Sequence, residues 1–232
     1  TFIPKIENLI INSDLAEGAF VLRTINDAKK ILNYIKDKKN ATIVGAGFIG
    51  LELAESLKEK GLNVTVIEAE ENIVPTVFDA DISNIIEKEI SNKIQIITNH
   101  LVTKAIIKNN KISGVEIKDK NANSQAKIKT DILIIAAGCR PNISVAKSAG
   151  CLIGKTGGIV VNSKSETSKK NIYAAGDCTE FIDFVSKRPT CIGLGSIAVR
   201  QAIAAGINAC GGNYSLPNGV LQTCTSTFFG HE

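Results

Sequence analysis

The chain has 232 residues, enough for one large domain or two smaller ones, each with its own core. Its 44% hydrophobic and 22% charged residues are the composition of a globular protein. The net charge of +4 is not gathered into a block or stripe, which argues against a nucleic-acid surface. Lys118, Lys120, Lys127 and Lys129 do cluster, but Asn121 and Ser124 lie between them, so they read as a solvated hairpin tip.

No stretch reaches the ~18 consecutive apolar residues that a spanning helix needs. The start, Thr1-Phe2-Ile3-Pro4, has neither a basic nor an apolar leader region, so a cytoplasmic location is the default expectation. None of the six cysteines, Cys139, Cys151, Cys178, Cys191, Cys210 and Cys224, is spaced C-x-x-C, and there are two histidines, so no metal site is expected. The cysteines read as buried free thiols in a reducing compartment. The chain has no Met and begins in an extended, Pro-containing segment, so it reads as a fragment of a longer protein.

Residues 1 to 20 read as a crossover segment. Asp27 to Lys38 is predicted helical from Ala28, Ile31, Leu32 and Ile35, with Asn26 or Asp27 as cap. Ala41 to Val44 is a short strand. A glycine-rich turn follows, then a helix over Ile49 to Lys60 with Ile49, Leu53, Ala54 and Leu57 inward, stopped by Gly61. Asn63 to Glu68 is a second strand. Strand, helix and strand in about 30 residues make a βαβ unit, whose strands must be parallel. A helix over Asp79 to Ser91 and a strand over Ile94 to Thr98 come next. Leu101 to Lys108 and Lys111 to Lys118 form a hairpin around Asn109-Asn110. Further strands are predicted over Lys127 to Ala136 and Asn171 to Ala175, and an apolar helix over Ile197 to Cys210. The fold class is α/β, a doubly wound, Rossmann-like parallel sheet with an antiparallel hairpin extension.

Gly45-Ala46-Gly47-Phe48-Ile49-Gly50 matches G-x-G-x-x-G directly after a strand and at the opening of a helix. The first Gly makes the turn, the second lets a pyrophosphate approach the backbone, and the third lets the helix pack against the strand. The helix N-terminus offers free N–H groups and a positive dipole end to the phosphates. Glu68 ends the second strand, 18 residues after Gly50, where a carboxylate accepts both ribose hydroxyls of the adenosine and repels a 2′-phosphate. Ala69, Glu70, Glu71 and Asn72 include no cation, so NAD(H) is favoured over NADP(H). The competing reading is a tight strand–helix turn without a ligand. A methyltransferase loop usually has an acid before the first Gly, where Ile43-Val44 stand. Tyr34 and Lys38 have Y-x-x-x-K spacing but precede the loop rather than follow it, so they read as helix surface.

Four stretches resemble the FAD-dependent pyridine nucleotide-disulfide oxidoreductases, in the branch of NADH oxidases and coenzyme A-disulfide reductases. They are residues 21–24, residues 45–54, Ala136 to Asn142, and Thr167 through Asn171 to Cys178. The resemblance implies an NAD(H)-binding domain near 21–135 inserted in a split FAD domain, whose second half would be 136–212. Residues 213–232 would begin a dimer-interface domain. The first FAD half, with its own glycine loop and a redox cysteine, would precede Thr1.

The resemblance also assigns residues. Gly45, Gly47, Phe48, Ile49, Gly50, Glu68 and Gly138 would contact NAD, and Gly176 and Asp177 would contact FAD. Asp177 would accept a hydrogen bond from the FAD ribitol; on the bare residues it reads equally as a turn cap. The helix near Ile197 would point its N-terminus at the flavin pyrimidine. Phe48 would be an aromatic gate between nicotinamide and flavin, against a plain core role. Glu52 would lie near the nicotinamide amide, against a plain surface role. Ala137 departs from the family's usual Thr. Neither His100 nor His231 matches a family catalytic histidine. The implied reaction passes a hydride from NADH to FAD and on to oxygen, a disulfide or persulfide, or a carrier protein, in a homodimer. From the loop alone, an NAD-binding sensor or scaffold module without turnover is the alternative.

Overall fold

A computed structural model describes residues 2–122, 124–217 and 219–230. The chain divides into two compact units: Thr1–Cys139 with Ser226–Glu232, and Arg140–Thr225.

The first unit opens with β1 (Ile10–Ile11) and β2 (Asp14–Leu15), a small antiparallel pair inside the predicted crossover segment. It continues through β3 (Ala19–Val21), α1 (Ile25–Tyr34), a 3₁₀ turn (Ile35–Asp37), β4 (Asn40–Val44), α2 (Phe48–Glu59), β5 (Asn63–Ile67), α3 (Ala80–Ile90) and β6 (Gln95–Ile97). Then come β7 (His100–Lys108), β8 (Lys111–Asp119), β9 (Gln125–Lys129) and β10 (Ile132–Ile135). The main sheet runs β3-β10-β4-β5-β6 with every pair parallel. β7, β8 and β9 form a separate antiparallel sheet.

Both faces of the parallel sheet are covered, so its strands are continuous apolar runs rather than alternating ones. β10 shows this best: all four residues are buried. Ile132 and Ile134 join a core with Ile31, Leu51, Ala54, Leu57 and Ile90 of the helices. Leu133 and Ile135 point the other way, into a core with Val102, Ala105, Val115 and Ile117 of the antiparallel sheet. Each such side chain contributes about 1.5–3 kcal/mol through burial.

Several expected elements shift. The helix expected at Asp27 starts earlier, because Thr24 caps it. The Thr24 hydroxyl accepts from the Asp27 N–H, and the Asp27 carboxylate accepts from the Thr24 N–H, a capping box. In α2, Leu53, Ala54 and Leu57 point inward as expected, but Ile49 is 57% exposed. The strand expected over Lys127 to Ala136 is two strands in two sheets. Between them the Thr130 hydroxyl donates to the Ile132 carbonyl, and Asp131 turns to accept from the Lys39 and Asn40 N–H groups. The six thiols are free, as expected, but Cys151 alone among them is buried.

The second unit contains α4 (Ser144–Ser148), β11 (Ile159–Val160), β12 (Thr179–Ile182), β13 (Pro189–Thr190) and α5 (Gly195–Ala209). β12 pairs parallel with β11 and antiparallel with β13. The expected strand at Asn171 to Ala175 is only a bridge between Tyr173 and Glu166. Asn171 sits in the left-handed region at φ 63°, and the chain folds back so that Thr167 N–H donates to the Ile172 carbonyl. That local turn replaces a ladder.

Candidate functional site

β4 lies between β10 and β5. From β4 the chain moves outward to β5 and β6, then returns on the other side as β10. The carboxyl ends of β4 and β10 are therefore where successive connections diverge, the place where open parallel sheets leave a crevice for a ligand.

The glycine loop fills the end of β4. Gly45 has φ +105°, a conformation that penalises any side chain, and a Cβ there would lie 2.5 Å from the Ala136 carbonyl. A Cβ on Gly50 would collide with the Gly45 carbonyl. Those two positions need glycine to close the turn and seat α2. Gly47 differs: an added Cβ meets nothing within 4 Å, and its φ of −76° suits any residue. Its glycine is not required by the protein's own packing. Gly47 is also the cap of α2 and makes no side-chain cap hydrogen bond, so open space adjoins the free N–H groups of the first helical turn.

Glu68 follows β5 and is 8% exposed. Its Oε2 accepts from the Ala46 N–H at 2.7 Å and its Oε1 from the Glu70 N–H at 2.9 Å. The carboxylate thus ties the glycine loop to the strand end. Two carboxylate oxygens have about four acceptor positions, so capacity remains for hydroxyls. An open polar recess lined by Glu71, Asn72, Asn84, Glu87, Thr98 and Asn99 occupies the same edge of the sheet. Burial pushes the Glu87 carboxyl above the usual carboxylate range.

Phe48 is half-buried, with its ring edge-on to Phe78 (centroids 5.8 Å, 83°) and tilted against Phe228 (6.4 Å, 42°). Glu52, one turn further along α2, is exposed and accepts from the Ser226 hydroxyl. Gly138, with φ +86°, is exposed at the end of the β10 connection, and its carbonyl accepts from the Phe2 N–H. Ser226 and Phe228 come from the returning segment, and nothing local to the loop announces them.

In the second unit Gly176 has φ +85° and turns the chain into β12. Gln201 of α5, 2% exposed, fixes that turn: its Oε1 accepts from the Gly176 N–H at 2.8 Å and from the Thr179 hydroxyl at 3.0 Å. Asp177 is left exposed, and its carboxylate faces Gly193, where a Cβ would lie 3.0 Å from Oδ2. The start of α5 is open: a Cβ on Gly195 meets nothing within 4 Å, and its cap makes no side-chain hydrogen bond. His100 hydrogen-bonds the Thr98 carbonyl through Nδ1, a packing role, and His231 lies outside the described residues.

The model of the pyridine nucleotide-disulphide oxidoreductases matches residues 2–202, and the chain belongs to that family. An NADH oxidase of Methanocaldococcus jannaschii is 41% identical over 213 residues, covering 90% of this chain and 45% of the relative. The solved NAD-dependent persulfide reductase from A. fulgidus is 32% identical with a TM-score of 0.86, over 97% of this chain and 40% of that one. A solved FAD-dependent pyridine nucleotide-disulphide oxidoreductase from Desulfovibrio vulgaris is 28% identical with a TM-score of 0.79, over 95% and 54%. The chain thus spans about half the length of the relatives it matches. No helix among the described residues is long and apolar enough to cross a membrane.

Proposed function

We propose that the chain is the NAD(H)-binding portion of an NADH-dependent flavin oxidoreductase. The observation that carries this reading is the open space at Gly47, beside an uncapped helix start and opposite the buried Glu68. The pyrophosphate would lie across Gly45, Gly47, Phe48, Ile49 and Gly50, held by backbone N–H groups and the α2 dipole. Glu68 would accept the adenosine ribose hydroxyls, favouring NADH over NADPH. Gly138 would line the nucleotide from the β10 side, Phe48 would gate the nicotinamide, and Glu52 would hold its amide.

The flavin site fits the same reading. Gly176 directs the chain so that the Asp177 carboxylate stands free for a ribitol hydroxyl, and Gly193 leaves it room. The N-terminus of α5 would stabilise negative charge on a reduced flavin. The bound cofactors supply hydride transfer and onward electron transfer; the chain's residues bind and orient them. The proposed domains are NAD(H)-binding near 21–135, the second FAD half near 136–212, and the start of a dimer-interface domain from 213. The second acceptor would be oxygen, a disulfide or persulfide, or a carrier protein, and the intact protein a homodimer. The names of the M. jannaschii and A. fulgidus relatives fit the first two acceptors.

Calorimetric titration of the purified chain with NADH tests the site. Binding should be one to one and should vanish in Gly47→Val, which fills the open space without straining the backbone. A Gly47→Val chain with a native circular-dichroism spectrum and unchanged NADH affinity would overturn the assignment.

A further inference from the structure

The four residues after Glu68 contain no cation, but the fold brings one in from fifty residues away. Lys120 follows β8, and its Nζ lies 3.1 Å from Glu70 Oε1. The backbone sets that placement. Lys120 N–H donates to the Asn99 carbonyl at 2.8 Å, and Asn99 N–H donates to the Glu70 carbonyl at 2.9 Å. His100 N–H donates to the Glu68 carbonyl at 3.0 Å, so the connection from β6 into β7 is fastened to the same short stretch. The Glu70 N–H is itself bonded to Glu68 Oε1. Glu68, Glu70 and Lys120 therefore form a relay in which each member is fixed to the next by a hydrogen bond.

We propose that Glu70 and Lys120 are a second determinant of nucleotide selection, with Glu70 occupying an ammonium that would otherwise serve a 2′-phosphate. This rests on the reading of Glu68 as the ribose acceptor. The chemistry is a competition between two anions for one cation. The Glu70 and Lys120 side chains are 59% and 34% exposed, so their ion pair is screened and weak. A phosphate dianion at the ribose 2′-oxygen would be a stronger partner than one carboxylate, yet it would meet Glu68 and Glu70 together as like charges. Neutralising Glu70 removes one repulsion and frees Lys120 at once. The same change leaves the Glu68 contact with the 2′-hydroxyl in place, because the bond between Glu70 and Glu68 is made by backbone N–H.

The test measures NADH and NADPH dissociation constants for the purified chain and for Glu70→Gln, Lys120→Met, the double variant and Glu68→Ser. Glu70→Gln should tighten NADPH by about tenfold while NADH moves by less than about twofold. The gain should shrink at high salt, as an exposed charge contact must. Lys120→Met placed on top of Glu70→Gln should take back the part of the gain that the freed ammonium supplies, leaving only the part due to the lost repulsion. An unchanged NADPH-to-NADH ratio in Glu70→Gln, or a gain that survives Lys120→Met undiminished, overturns the proposal. Glu68→Ser separates the two levels. If it narrows the ratio while Glu70→Gln does not, the ribose reading stands and the Glu70–Lys120 role falls. If Glu68→Ser leaves the ratio unchanged, both fall.

Discussion

Replacing Glu68 by Ser should have two separable consequences, because the carboxylate has one role seen in the structure and one proposed at the ribose. The first is internal. Glu68 accepts from Ala46 N–H and Glu70 N–H, and Ala46 is fully buried. A hydrogen bond to a charged group contributes about 1.5–3 kcal/mol, and a buried N–H left without a partner costs about 1–3 kcal/mol. A serine side chain is too short to reach Ala46. Losing the tether should therefore cost about 2–4 kcal/mol, or roughly 5–15 °C in Tm for a unit of this size. The second job concerns the ligand. Without the tether the glycine loop is looser for either nucleotide, so both affinities should fall. NADH should fall further, because it also loses its ribose acceptor, whereas NADPH is relieved of a carboxylate facing its phosphate. The NADH-to-NADPH preference should thus narrow by about tenfold, ~1.4 kcal/mol. Differential scanning calorimetry reads the first effect and paired titrations at matched ionic strength read the second. An unchanged Tm would refute the buried tether. A lower Tm with an unchanged preference would leave Glu68 as a structural residue and refute its place at the ribose.

Asp177→Ala in the flavin-loaded full-length protein should lower flavin content while leaving NADH affinity intact; a variant that purifies with full flavin stoichiometry removes the ribitol role. Phe48→Ala should keep NADH affinity within about tenfold, ~1.4 kcal/mol, but change the rate of flavin reduction. A stopped-flow trace identical to that of the parent would return Phe48 to the core it shares with Phe78 and Phe228. Asp131 should be a source of acid sensitivity. Burial opposes its ionisation, but donors from Asn40 and Lys39 outweigh that and hold its carboxyl below the usual range. A depressed carboxyl contributes stability that is present above its unfolded value of about 3.9 and is lost as pH falls through the folded value. Urea midpoints should therefore drop more steeply below about pH 4 in the parent than in Asp131→Asn, and equal slopes would count against this role.

The positions of the candidate site written within one βαβ unit are legible, because their spacing is their geometry. Gly45, Gly47, Gly50 and Glu68 are joined by one helix and two adjacent strands, so a sequence interval translates directly into a position at the sheet edge. The same holds for the hairpin at Asn109-Asn110, where two consecutive residues at φ 52° and 62° reverse the chain. Boundaries failed where a short-range polar group overrode periodicity. Thr24 captured the start of α1, Asp131 split a run that reads as one strand, and Asn171 turned another back on itself. The remaining residues were hidden for a different reason. Gln201 reaches Gly176 from α5, Ser226 reaches Glu52 from the returning segment, and Lys120 reaches Glu70 because its N–H is held by the Asn99 carbonyl in the connection from β6 to β7. In each case the partner comes from a segment distant in sequence, so tertiary packing rather than any local motif sets the contact. Residues 69–72 hold no cation, and the ammonium nearest them comes from Lys120. The relevant distance runs across the sheet edge, from one backbone hydrogen bond to the next.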